Sequence, residues 1–125
     1  MNKEELKIRT KEFAIRIINF IGGLPNNKIG NVLGTQLLKS GTSIGANYCE
    51  VIRGESYNDF IHKIGIIQKE AEETQYWLEL LEATNLGEAK ERQWLYKECC
   101  ELLAIFTATI KTAKQRRNSK SAIRN

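Results

Sequence analysis

Between Ser56 and Thr84 the residues Phe60, Ile64, Ile67, Ala71, Thr74, Leu78 and Leu81 follow one another in alternating steps of four and three without a miss. At 3.6 residues per helical turn, that spacing places all seven side chains on one narrow stripe. It is the period of helices packed side by side at a shallow angle. The rod would be roughly 43 Å long at about 1.5 Å per residue. Such a rod cannot hide its stripe from water by itself, so other segments must supply matching stripes.

They are present. Leu6, Phe13, Ile17, Phe20 and Leu24 mark a first helix over about 3–21, and Leu95, Cys99, Leu102, Phe106, Ile110 and Ala113 mark a fourth over about 88–114. Gly22-Gly23 offers left-handed freedom at the end of the first helix, and Pro25 blocks its continuation. Asn26 or Asn27 can cap a second helix over about 28–51, with Ile29, Leu33, Leu37, Ile44 and Val51 as its apolar positions. Ser56 and Asp59 form a capping pattern for the third, over about 56–84. One proline in 125 residues and no Asn-Gly or Asp-Gly pair leave little room for sheet. The expected fold is all-α, an antiparallel up-and-down four-helix bundle over residues 1–114, followed by a basic, disordered tail over 115–125.

The second helix is unusual. It carries Gly30, Gly34, Gly41 and Gly45, each costing about 1 kcal/mol relative to alanine in a helix interior. Two explanations compete evenly: close approach of another helix backbone, or a bend near Gly41-Thr42-Ser43. Ser43, Asn47 and Glu50 share a face of the same helix, and Arg53 follows three residues later. They are the candidates for a polar network fixing how the second and third helices meet, or for a polar contact at a subunit junction. Ile8, Ile15, Ile18, Ile66, Trp77 and Leu80 lie off the main stripes. More apolar surface than one bundle can bury argues for self-association.

The formal net charge is +4, but it is unevenly spread. Lys111, Lys114, Arg116, Arg117, Lys120 and Arg124 follow Glu101 with no further acid, whereas residues 1–110 carry 13 basic and 15 acidic side chains, a net of −2. A cationic C-terminus on a near-neutral body points to a polyanionic partner, RNA or DNA. Lys111, Lys114, Arg116, Arg117 and Lys120 are the candidate phosphate contacts.

Signs of catalysis are missing from the pattern. His62 is the single histidine and sits beside Lys63, where a surface or packing role is the ordinary one. Three cysteines, two of them adjacent at Cys99-Cys100, form neither a Cys-x-x-Cys site nor an obvious disulfide set. The glutamates from Glu70 to Glu82 lack the Glu-x-x-His partners of di-iron bundles. No phosphate-binding glycine motif is present. The sequence therefore predicts no enzyme, no metal and no cofactor. No apolar run reaches the ~18 residues of a membrane span, and the absence of an export signal makes the reducing cytoplasm the expected compartment.

The segment from Gln36 to Leu81 resembles the bacterial four-helix bundle family of 23S rRNA intervening-sequence proteins. The likeness rests on Ser40-Gly41-Thr42-Ser43-Ile44-Gly45-Ala46-Asn47, Glu50, Glu55-Ser56, Asp59-Phe60-Ile61-His62-Lys63 and the run from Glu70 through Tyr76-Trp77-Leu78 to Leu81. Val51 departs from the alanine or glycine that usually follows the family's glutamate. The resemblance implies a homopentameric ring, and similarity to the accessory proteins of diversity-generating retroelements, which bind nucleic acid and a reverse transcriptase. The family has no established enzymatic activity. The near-neutral body departs from the strongly basic accessory barrels. The expected function is thus a non-enzymatic, oligomeric, RNA-binding accessory protein; the rival is a protein-interaction scaffold with no nucleic-acid role.

Overall fold

A computed structural model of the chain describes residues 1–53 and 56–124, with side chains as far as Lys120; Glu55 and the Arg124 side chain, both used above, lie outside the described residues. Four helices run in order: α1 (Lys3–Ile21), α2 (Lys28–Val51), α3 (Tyr57–Ala83) and α4 (Ala89–Arg124). No strand occurs among the described residues.

Local chemistry sets the helix starts. The side chains of Asn2, Asn27 and Ser56 accept from the amides of Glu5, Gly30 and Asp59 at 2.8, 2.9 and 3.1 Å. Glu88 does the same for α4, taking the Glu91 amide at 2.6 Å. Each such bond satisfies one of the four donors that a helix start leaves open.

Cross-helix contacts fix the direction of every neighbour. Gly41 faces Ile17 and Gly45 faces Thr10. Ser40 meets Thr74 and Glu50 meets Lys63. Cys99 meets Ala71 and Gln68 meets Thr107. Arg9 meets Glu98 and Arg16 meets Glu91. In each pair of helices one index rises as the other falls, so α1, α2, α3 and α4 alternate in direction and α4 closes back on α1. The α1–α4 seam is the sparsest of the four.

The stripes meet at the centre. Phe13, Ile17, Leu37, Ile44, Ile64, Ile67, Leu78, Leu81, Leu95, Leu102 and Phe106 are essentially inaccessible, each contributing about 1.5–3 kcal/mol of transfer free energy. Two residues differ from the expected stripes: Ile61, rather than Phe60, is the buried residue at the start of α3, and Ile29 is exposed on α2.

Three expectations need correction. The helix α2 is continuous through Gly41-Thr42-Ser43, with no break. Gly30 lies against the Pro25 carbonyl in the preceding turn, and Gly41 and Gly45 face α1: a Cβ on Gly41 would meet the Ile17 side chain at 3.0 Å, and one on Gly45 the Thr10 carbonyl oxygen at 3.3 Å. Close approach of two backbones is therefore what they serve. Second, Gly22 caps α1 in right-handed geometry, φ −57°; the left-handed turn is instead at Asn85 and Gly87, φ 54° and 85°, between α3 and α4. Third, residues 115–124 continue α4 as helix rather than forming a disordered tail. They contain no glycine or proline, and lysine, arginine, glutamine and alanine are all strong helix formers. Arg117 and Lys120 also touch the start of α3, at Asn58 and Tyr57.

Candidate nucleic-acid interface

The buried seam of α4 runs Leu95, Cys99, Leu102, Phe106 and Ala113. Steps of four and three then lead from Ala113 to Arg117 and Lys120. The core-facing stripe thus turns cationic without changing its helical phase. The change coincides with the loss of a partner. Counting back from the Arg9–Glu98 pair in antiparallel register, Lys3 is level with about Ala104. Beyond that point α4 has no α1 opposite it, only α3 and the end of α2.

A cleft of about 730 Å³ opens in this gap. Its walls include Leu6, Tyr48, Phe60 and Phe106, and the exposed Tyr57 and Arg116 also line it. Tyr48 packs tilted against Phe106 at 5.7 Å between ring centroids, and burial pushes its hydroxyl above the ordinary tyrosine pKa. Tyr57 is 40% exposed and lies parallel to Phe60, centroids 6.2 Å apart. The Lys120 ammonium sits 5.8 Å from the Tyr57 ring centre, within cation–π range. Arg117 Nη1 reaches Asn58 Oδ1 at 3.5 Å.

The five predicted cations therefore do not share one face. Arg116, Arg117 and Lys120 gather over the first turn of α3 and the cleft. At about 100° per residue, Lys111 lies about 140° round the helix from Phe106, and Lys114 about 80° from it on the side opposite Arg116. All but the half-buried Arg117 are exposed.

The second candidate set is not a mutual network. Ser43 Oγ donates to the Lys39 carbonyl at 2.5 Å, Asn47 Nδ2 to the Ser43 carbonyl at 2.8 Å, and Arg53 Nε to the Cys49 carbonyl at 3.3 Å. Each satisfies itself on its own helix. Glu50 alone crosses to α3, its carboxylate 3.8 Å from Lys63 Nζ, with the Glu50 side chain largely exposed and that of Lys63 partly so.

The strong polar contacts lie elsewhere. Arg9 grips Glu98 with two bonds of 2.8 and 2.6 Å, and Arg16 grips Glu91 with two of 2.7 and 2.8 Å. Arg16 also lies 3.4 Å over the Trp94 ring. Arg92, 3% exposed, pairs with Glu82 and donates to the Leu86 and Gly87 carbonyls at 2.7 and 3.1 Å, locking the α3–α4 turn. No periodicity announces these pairs, because they join residues far apart in sequence or in a turn.

His62 is exposed. Among the described residues no cluster of three or more histidine, cysteine, aspartate or glutamate side chains could hold a metal ion. Cys49, Cys99 and Cys100 are free thiols. The glutamates of α3 serve the surface and the α4 contact: Glu79 accepts from Tyr96 at 3.2 Å and Glu82 pairs with Arg92. No helix among the described residues is long and apolar enough to cross a membrane.

The family model for the 23S rRNA-intervening sequence protein matches residues 4–108. The chain belongs to this family. The match spans all of α1 but its first residue, all of α2 and α3, and α4 as far as Ala108, leaving the cationic end of α4 outside it. A crystal structure of a protein of unknown function from the S23 ribosomal protein family of Bacteroides thetaiotaomicron is 39% identical, covering 89% of this chain and 99% of that one, with a TM-score of 0.80. No curated protein matches.

Proposed function

We propose that this chain is a non-enzymatic, self-associating bundle that holds RNA through the cationic end of α4. The observation that carries the proposal is the conversion of the α4 seam from apolar to basic beyond Ala113, with no acid on the helix after Glu101. A helix presents its cations at fixed intervals, so phosphates can be neutralised together and counterions released together. The family's link to an rRNA intervening sequence favours RNA over DNA.

Self-association is supported by Ile8, Ile15 and Ile18 on α1, 51%, 48% and 52% exposed, and by Leu38 on α2, 38% exposed. We infer a homopentamer, as the family resemblance implies, in which each copy adds one cationic helix end; a reverse transcriptase is the protein partner that the same resemblance suggests. The same isoleucines would serve the rival scaffold, so the discriminating measurement is on RNA.

Binding of a labelled RNA oligonucleotide, titrated with salt, should weaken steeply. Replacing Arg116, Arg117 and Lys120 by glutamine should flatten the log–log salt slope by about two, at about 0.7 per phosphate contact for single strands. An unaltered slope, or no RNA binding at low salt, overturns the proposal. Light scattering should give five times the 14.3 kDa protomer; a monomer sinks the assembly.

A further inference from the structure

We propose that the cleft at the end of the bundle takes an unpaired base of single-stranded RNA, with Arg116, Arg117 and Lys120 on the adjoining phosphates. The inference rests on the RNA function proposed above and adds which form of RNA is bound and where. Two separate features converge on this spot. One is the cleft itself, whose volume of about 730 Å³ falls within the ordinary range for small-ligand pockets. Its wall is largely apolar and aromatic, with polar groups of Asn2, Lys3, Ser56 and Thr112 among them, a mixture that suits the face and edge of a base better than a bare phosphate. The other is the cationic stripe, which suits phosphates and not an apolar group. Arg116 belongs to both, since it lines the cleft and stands beside Arg117 on α4.

The aromatic rim decides between single and double strands. Tyr57 offers a ring 40% exposed and already covered by the Lys120 ammonium. An arriving base takes the ring face, and the ammonium moves the short distance to the base's own phosphate. In a duplex every base face is covered by its neighbours, so only an unpaired base can stack on a side chain. Three cations near the cleft exceed what one small carboxylate needs, and the first turn of α3, positive by its helix dipole, carries only Asp59 as an acid. A polyanion that also has flat apolar groups satisfies the whole arrangement.

The test uses the full chain, a fluorescein-labelled oligouridylate, an RNA duplex of equal length, and inorganic polyphosphate as a polyanion without bases. The single strand should bind about tenfold or more tighter than the duplex and be displaced poorly by polyphosphate at equal charge. Tyr57→Ala should lower single-strand affinity by about tenfold, the scale of one base–aromatic stack, while keeping the salt slope; Tyr57→Trp should retain affinity. Lys120→Gln should flatten the slope and keep the single-strand preference. Circular dichroism checks that Tyr57→Ala keeps the fold, and if it does not, Tyr57→Leu replaces it. Equal binding of both RNAs together with indifference to Tyr57 overturns the base in the cleft while leaving RNA binding intact. No binding of either RNA removes the RNA function itself.

Discussion

Arg9 and Glu98 form a two-pronged ion pair, Nε and Nη2 against the two carboxylate oxygens at 2.8 and 2.6 Å, across the α1–α4 seam. The pair sits where helix packing is sparsest, and Glu98 is only 11% exposed in its side chain. The fork raises the pKa of Arg9, hydrogen bonding to Glu98 being the largest cause and desolvation opposing it. With Arg16–Glu91 two helical turns away, it adds charge to the seam where the apolar core has the fewest close approaches between helices.

Arg9→Met should therefore cost about 2 kcal/mol, because it strands a carboxylate with little water around it. Replacing both partners, Arg9→Met with Glu98→Leu, should recover most of that loss, since the desolvation of both charges disappears together. Urea denaturation of the two single variants and the double variant gives the coupling. Additive effects of the two replacements would show that the pair contributes no more than its separate side chains.

Acid should release the second clamp. Glu91 is held below the ordinary carboxylate range, first by its hydrogen bonds to Arg16 and then against a partial desolvation. A depressed folded pKa contributes stability that is complete above the unfolded value, about 4.3, and is lost as pH falls through the folded one. Both partners are well solvated, with side chains 40% and 28% exposed, so the contribution is below about 1 kcal/mol. Glu91→Gln should be less stable than the native chain at pH 7, and the difference should shrink below about pH 4. Thermal melts at pH 7 and pH 3 decide it; a gap of equal size at both contradicts the assignment.

Two glycines should respond in opposite directions to the same substitution. A Cβ on Gly65 in α3 would find only Ile110 Cδ1 at 3.7 Å, an ordinary contact. Gly65→Ala should then stabilise the chain by about 0.5–1 kcal/mol, the helix-propensity gain. A Cβ on Gly45 would press on the Thr10 carbonyl oxygen at 3.3 Å and its hydroxyl at 3.3 Å. Backbone cannot swing aside, so Gly45→Ala should lose the propensity gain and destabilise by about 1 kcal/mol. Chemical denaturation of both variants reads the sign directly.

The same glycines show what the sequence could and could not tell. The stripes of α3 and α4 were legible because large apolar side chains at steps of three and four have only one helical face to share. On α2 the α1-facing surface is Gly34, Gly41 and Gly45, and these residues carry no hydropathy signal; Ile29, which does, points to water. Ser43, Asn47, Glu50 and Arg53 share a face by phase, but three of them bond to carbonyls four residues back, a choice that spacing cannot distinguish from a network. Arg92 looks like a surface residue by type and is buried, because three acceptors at the α3–α4 turn satisfy it. At the candidate interface the cations could be named, and helical phase divides them between two faces; the cleft that Arg116 lines was not legible, because it depends on where α1 begins relative to α4.

Cysteine chemistry should separate along the same inside–outside line. Cys99 is inaccessible, its thiol lies 3.3 Å from the Ala71 carbonyl, and burial above all, with Cys100 second, pushes its pKa up to about 12. Cys49 and Cys100 are half-buried. At pH 8 the thiolate fraction of Cys99 is about a thousandfold below that of a thiol with pKa near 8.5, so iodoacetamide should label Cys49 and Cys100 in the folded protein and leave Cys99 for denaturant. A raised thiol pKa also makes the folded state hold a proton that the unfolded chain gives up, so stability should fall as pH rises from about 8.5 towards 12. Cys99→Ala should show a shallower loss over that window. Peptide mass mapping after labelling is the check: modification of Cys99 at the rate of Cys100 would mean that the α3–α4 seam opens freely in solution.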